Sequence, residues 1–511
     1  MKAITGIMRR ATLVVHRMKA SEQGYVMILA MLVLVAAGMI SATLVMELSF
    51  NTEHVSRDKA FTQSLAIAEA GLNQYLWMVQ SGGSSAANNY AIPGNTGSDV
   101  HYEQFNFTDP YDSSQKGIYA IKVTPPSAAD SRIGVTVTGV SKSPLDVPRT
   151  VSAHVGQPAF SQYLLLTNDE VWIGGPLDRV WHGKTFSNTG ICIDTANVND
   201  TISCSNQTYS SSMFGGTHPG VWSGSQYTVP SNDPSRAYWH FPVPPISFQT
   251  VTSNFPVLSA LAVGNGVNLP YSTSAVHDDT QGWYIKLLPN KQYQIQQVTG
   301  EIEQASYSSG GSVGGNLTLV TPTSPVPSGI LNYPANGVIY VNDNVWVEGT
   351  NLSGRITIAC SGQLNGSGKT AATNAKIVGD LTYSAQDGTV AVGVIAQNDV
   401  EIPSYAPWKK SGSISSMDME IDGALIAQQG KEFVYASDLG GPDRDTLTIY
   451  GSVSSYTRPY RYNTGNGGGF ANGVNVYDPY LLHNPPPYFP TAGSFQILDW
   501  SELPLSQGLL F

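Results

Sequence analysis

The chain has 511 residues, enough for several domains or one long repetitive one. Charged residues make up only 12%, about half the usual share for soluble domains, and the formal net charge is −11. That balance argues against a general nucleic-acid binder, which carries a basic face. Three cysteines are too few for a disulfide-stapled scaffold, and no CxxC or Cys/His spacing suggests zinc.

The first element is a basic leader ending in Gly24, followed by an uncharged run from Tyr25 to Met46. Lys2, Arg9, Arg10, Arg17 and Lys19 precede the run, opposed only by Glu22. A bilayer-spanning helix needs about 20 apolar residues, so the run is long enough, and the positive charges place the amino terminus in the cytoplasm. No small-x-small site closes the run, which argues against ordinary signal removal. The helical pattern then continues. Phe61, Leu65, Ala68, Leu72, Leu76 and Val79 recur at spacings of 3 and 4, with Glu53, Arg57, Asp58, Lys59 and Glu69 on the opposite face. Ser81-Gly82-Gly83 ends the pattern. A helix from Tyr25 to Gln80 would be about 84 Å long.

These residues resemble the amino terminus of type IV prepilins, most closely the PilX-type minor pilins. The resemblance rests on the basic leader, Gly24 followed by Tyr25, the unbroken apolar helix and the segment AFTQSLAIAEAGLNQYL from Ala60 to Leu76. It implies cleavage between Gly24 and Tyr25 by a prepilin peptidase, methylation of the new terminus, and packing against other pilins. Most major pilins carry glutamate at the fifth mature position, and here that position is Leu29. Such a carboxylate is costly in an apolar filament core without a partner. Its absence resembles the large tip-located minor pilins and pseudopilins. A plain signal anchor would leave Gly24 and the amphipathic extension unexplained.

Residues 81–116 read as a polar, aromatic-punctuated loop region. Alternating β-branched stretches predict strands at Gly117–Thr124, Ile133–Lys142 and Arg149–Val155, a small antiparallel sheet like that of PilX-like proteins. From about Phe160 short β-rich segments recur between Gly, Asn, Asp and Ser turns, among them GVIYVNDNVWVEGT, AKIVGDLTYS, VAVGVIAQNDVEIP and LTIYGSVSSY. Short strands with no convincing helix suggest stacked rungs of a parallel β-solenoid; irregular repeat lengths keep a β-sandwich as the runner-up. His182–Asp194, Asn336–Gly349, Ala391–Pro403, Val476–Pro490 and Phe495–Leu503 also resemble a bacterial family of exported proteins with pilin-like starts. Large competence-type minor pilins with an inserted β-solenoid are similar in layout. The expected fold is mainly β with one long N-terminal α-helix. The expected segments are a leader (1–24), a transmembrane and amphipathic helix (25–80), a pilin-like loop and sheet (81–158), a solenoid head (159–460) and a Gly/Pro-rich C-terminal segment (461–511).

Candidate chemistry is sparse. Asp418, Glu420 and Asp422 alternate with Met419 and Ile421, so all three point to one face of a strand. Asp399 and Glu401 do the same one predicted rung earlier. A calcium site or a sugar-cleaving acid pair would use such carboxylates; a solvated outer face is the plainer reading. Asp194, Asn197, Asn199 and Asp200 form an oxygen-rich loop between Cys192 and Cys204, a weaker calcium candidate and more simply a hydrogen-bonded turn. Cys192 and Cys204 either pair in an oxidising compartment or stand as two unpaired buried thiols. YTRPYRYN interleaves Arg458 and Arg461 with Tyr456, Tyr460 and Tyr462, which suits stacking on single-stranded DNA or a glycan. With Lys409 and Lys410 it is the one basic patch in a sequence that, without its leader, holds 21 basic and 36 acidic residues. No nucleophile elbow or His-Glu-x-x-His appears, and the chain is expected not to be an enzyme and to need no cofactor. The sequence therefore predicts a minor pilin or pseudopilin held in the inner membrane before assembly and displayed afterwards. A DNA-uptake receptor and a polysaccharide-active β-helix are the alternatives.

Overall fold

The computed structural model describes the chain outside residues 1, 82–100, 109–110, 112, 126–131, 143–146, 175–179, 195–197, 199, 225–227, 273–278, 303–316, 363–371, 408–417, 435–443, 461–468, 492–494 and 505–511; of residues 2–24 and 101 it describes the backbone alone. The fold is mainly β with one long N-terminal helix, α1 (Lys2–Ser81). Every residue of α1 from Tyr25 to Lys59 is exposed, and burial begins at Ala60. From there Ser64, Ile67, Ala68, Gly71, Leu72 and Tyr75 pack onto an antiparallel sheet. The predicted stripe is rotated slightly: Leu65, Leu76 and Val79 lie at the edge of this contact.

The sheet contains β1 (His101–Thr108), β2 (Gln115–Thr124), β3 (Ile133–Ser141) and β4 (Pro148–Gly156), and a fifth strand, Gln496–Leu503, pairs antiparallel with β4. Within the Gly/Pro-rich C-terminal segment, Gln496–Leu503 thus returns to complete the sheet. Asp499 accepts the His154 N–H at 2.9 Å and faces its ring at 2.8 Å, Arg149 pairs with Glu502, and Gln80 Nε2 donates to the Phe495 carbonyl at 2.6 Å. The helix seats closely because two sheet glycines, Gly117 and Gly139, meet it, and Gly71 on the helix meets the Tyr119 and Val137 side chains. A Cβ on Gly139 would lie 2.4 Å from the Ser64 carbonyl oxygen and 2.5 Å from the Ala68 nitrogen.

Everything between β4 and the last strand is inserted. It forms a parallel solenoid with three faces. Face A stacks Val267–Leu269, Val338–Val341, Arg355–Cys360, Ala391–Ala396, the ends of Met419–Ala427 and Arg444–Ser455, then Leu165–Thr167, Thr185–Ser187, Ile202–Cys204 and Trp239–His240. Face B stacks Gly282–Leu288, Asn344–Leu352, Ala375–Tyr383, Val400–Ile402 and Glu432–Val434. A separate parallel sheet of Val171–Gly174, Ile191–Asp194 and Val221–Ser223 supplies the corresponding face in the rungs that follow. Face C stacks the beginnings of Met419–Ala427 and Arg444–Ser455, then Phe470–Val476 and Val180–His182. The long strands turn corners, so pairing passes from face to face, but each ladder is open at both ends. The result is a coil and not a barrel or a sandwich. Inward residues such as Ile339, Ile358, Val394, Leu425 and Val453 occupy successive levels of one column and fill the core.

The chain does not enter this coil at an end. Leu165 pairs with Val453 in mid-stack, the path runs to one end at Trp239, and α2 (Gln249–Asn265) follows. The coil resumes at the other end with Val267 and climbs back to its own first rung. A second helix contradicts the sequence expectation. Val251, Phe255, Leu258 and Ala262, at spacings of 4, 3 and 4, pack on Tyr340, Ala359, Ile395 and Ile426 of face A. Pro256 inside the helix and the absence of charge hid that pattern, and packing overrides the local preference.

Candidate functional site

The exposed half of α1 carries an 18-residue window of mean hydropathy 2.5, none of it buried. By length and composition this half of the helix is long and apolar enough to cross a membrane. Leu29 is 52% exposed on it, and none of the described residues covers that position. Where α1 leaves the sheet, a cleft of about 950 Å³ is lined by Thr52, Ser56, Gln63, Phe107, Lys116 and Lys142.

On the head, the candidates separate rather than converge. Glu420 and Asp422 do share the outward side of face C, with Met419 and Ile421 in the core, while Asp418 is exposed just before that strand begins. Asp399 and Glu401 belong to face B, so the four carboxylates needed for a sugar-cleaving groove are divided between two faces. Asp399 accepts the Lys431 N–H at 2.7 Å and works as a turn residue. Among the described residues, no group of three or more His, Cys, Asp or Glu is placed to hold a metal ion. Asp194 accepts from Trp172 Nε1 at 3.3 Å and Asp200 caps the Thr201 N–H at 2.6 Å; Asn197 and Asn199 lie outside the described residues. Of the two readings of Cys192 and Cys204, a disulfide or two buried thiols, the structure has the second: both are buried and free. Ile191 and Ile193 face the core, so Cys192 faces outward between Trp172 and Trp222, whereas Cys204 points into the core. Burial pushes the Cys192 thiol up to about 12.

The tyrosine–arginine stripe also divides. Tyr456 sets its ring edge-on to Phe248, beside α2, with centroids 5.6 Å apart. Tyr460 extends face B beyond Phe433, with Lys431 Nζ 5.5 Å from its ring. The Arg458 N–H donates to Asp169 at 3.4 Å. Arg461, Tyr462, Lys409 and Lys410 lie outside the described residues.

Asp422 is 1% exposed, and burial raises its carboxyl from 3.8 to about 7, against the opposing N–H of Tyr383 at 2.7 Å. The folded state therefore binds this proton more tightly than the unfolded chain. Its contribution to stability is lost as pH rises from about 4 through about 7. Asp422→Asn, which mimics the protonated form, should leave stability nearly unchanged at pH 3 and raise it at pH 8 by up to about 4 kcal/mol. Thermal midpoints at the two pH values check this; equal shifts at both would sink it.

Sequence reasoning missed two buried polar sites. Glu170 accepts from Ser211 Oγ, the Ser212 N–H and the Met213 N–H at 2.8, 2.8 and 3.0 Å, and from Ser212 Oγ. Burial works to raise its carboxyl, but these hydrogen bonds bring it below the ordinary range. They fix a loop that carries Phe214 between Trp172 and Trp222, with His218 stacked on Trp222 at 3.8 Å. The second site surrounds Lys376 on face B. Lys376 and Glu301 form an ion pair with both side chains fully buried, and Glu401 lies 3.8 Å from Nζ. The sequence clue was a lysine between apolar residues in NAKIVGD. It suggests an outward position, and nothing local shows that the outward side is covered.

No protein-family model matches the chain, and none of the curated proteins matches it. Among solved structures it is similar to the competence-associated pilin ComZ from Thermus thermophilus. Identity is 13%, the match covers 86% of this chain and 97% of that one, and the TM-score is 0.29. At that identity and score the likeness assigns neither fold nor function.

Proposed function

We propose that this protein is a minor pilin or pseudopilin subunit of a type IV pilus-like filament. One observation carries the reading: a single helix whose first half is apolar and wholly exposed and whose second half is locked onto an antiparallel sheet. The apolar half waits in the inner membrane, is processed between Gly24 and Tyr25, and then packs among the helices of other subunits. Leu29 in place of a carboxylate suits a subunit with no neighbour above it, hence the tip or the initiating complex. The inserted solenoid is the displayed part, with a role in adhesion or ligand contact. The Phe214–Trp222–His218 cluster favours a glycan over DNA as that ligand, since Tyr456 and Tyr460, two of the rings read for stacking on DNA or a glycan, lie on different faces. Replacing Gly24 with phenylalanine should leave the leader attached and abolish surface display. Mass and surface labelling unchanged from wild type would remove the filament-subunit reading.

A further inference from the structure

The Lys376 site is built for more than an ion pair. Nζ of Lys376 contacts Oε2 of Glu301, and both side chains are fully buried. Oε1 of Glu301 accepts from Trp346 Nε1 at 3.0 Å and from the Tyr405 hydroxyl at 2.5 Å. Two donors on one carboxyl oxygen polarise the carbonyl carbon toward a nucleophile, as donors aimed at a developing oxyanion do. Nζ also donates to the Asp279 carbonyl at 3.2 Å, and Glu401 Oε2 lies 3.8 Å away on the opposite account, a second carboxylate able to take its proton. Tyr284, Val298, Leu317 and Val378 pack around the group and exclude water. Burial holds the Tyr405 hydroxyl well above its ordinary range, so it remains a donor.

We propose that Lys376 and Glu301 condense into an intramolecular isopeptide bond, with Glu401 relaying the protons. In the apolar site the proton passes from Nζ through Glu401 to Oε2 of Glu301, leaving a neutral amine beside a neutral carboxyl. The amine lone pair attacks Cδ, and negative charge collects on Oε1 under the Trp346 and Tyr405 donors. The Cδ–Oε2 bond then breaks. Of the three protons of the ammonium group, one stays on the amide nitrogen and two leave with Oε2 as water; nothing is oxidised or reduced, and Glu401 ends as it began. The product is already provided for. Its carbonyl keeps both donors, its N–H faces the Asp279 oxygen, and a buried pair of charges becomes a neutral amide, which an apolar site tolerates better. The bond would fasten the end of the Gln292–Glu301 strand, part of the terminal cover of the coil, to the Ala375–Tyr383 strand.

The test is mass spectrometry of the full chain, purified in detergent and denatured. The expected mass, after allowance for amino-terminal processing, is lower by one water. A tryptic map should contain a branched peptide joining Glu301 to Lys376, with no cleavage after Lys376. Glu401→Gln should give the full mass and two separate peptides while keeping the β-rich circular dichroism spectrum. Separate peptides from the folded wild type would overturn the bond, and a branched peptide in Glu401→Gln would overturn the role of Glu401. If Glu401→Gln fails to fold, the wild-type map alone decides.

Discussion

Lys376→Met should destabilise the head by about 3–5 kcal/mol, because it leaves the Glu301 carboxylate charged and away from water without the partner that it has in the ion pair or in the isopeptide bond. Glu301 would keep its contacts to Trp346 and Tyr405 but lose Lys376, in a site where both side chains are fully buried. The double variant Lys376→Met/Glu301→Gln should recover the part of the loss that comes from the stranded carboxylate, since removing both charges is far milder than removing one. Urea unfolding followed by tryptophan fluorescence reads both, Trp346 lying against the site at 5.3 Å from Nζ. A single variant within about 1 kcal/mol of wild type would place this pair with exposed surface pairs, which contribute about that much.

Gly139→Val should separate α1 from its sheet. The Cβ would stand 2.4 and 2.5 Å from helix backbone atoms, and backbone cannot turn aside as a side chain can. Overpacking of this kind costs about 1–3 kcal/mol and sometimes more. The hydrogen bond from the Ser141 N–H to Ser64 Oγ, 2.9 Å, sits in the same seam and would be lost with it. Hydrogen exchange should rise across residues 60–79 and 133–141 while the solenoid stays protected. Gly134→Ala is the control, since its nearest contact is a Thr124 side chain at 3.3 Å. Equal effects of the two would show that the seam is not what holds the helix.

The helix, β2 to β4 and the stacked-strand character of the head were legible because each writes its period into neighbouring residues. β1 was passed over although Phe105 and Phe107 alternate toward the core, because they lie in a polar, aromatic-rich stretch. The last strand could not be read as part of the first sheet: FQILDWSEL says nothing of a partner such as His154, some 345 positions away. The site failed for a related reason. Glu420 and Asp422 were correctly put on one face, but which face each strand joins depends on where the coil turns its corners, and that separated them from Asp399 and Glu401. Lys376 was invisible because its cover comes from a hairpin 75 residues away.

Entry and exit in mid-stack also decide how the head bears a pull. The two connections leave from neighbouring levels, Leu165 beside Val453 and Val476 beside His182, and reach β4 and the last strand, which are themselves adjacent. Tension on the stalk therefore enters the coil in mid-stack at Leu165, and on the exit side it is spread along face A, where Thr357 Oγ1 donates to the Pro487 carbonyl and the Arg355 guanidinium to the Pro485 carbonyl. A solenoid tethered through its last rung can be peeled open level by level; here the first levels to feel force have other levels stacked on both sides.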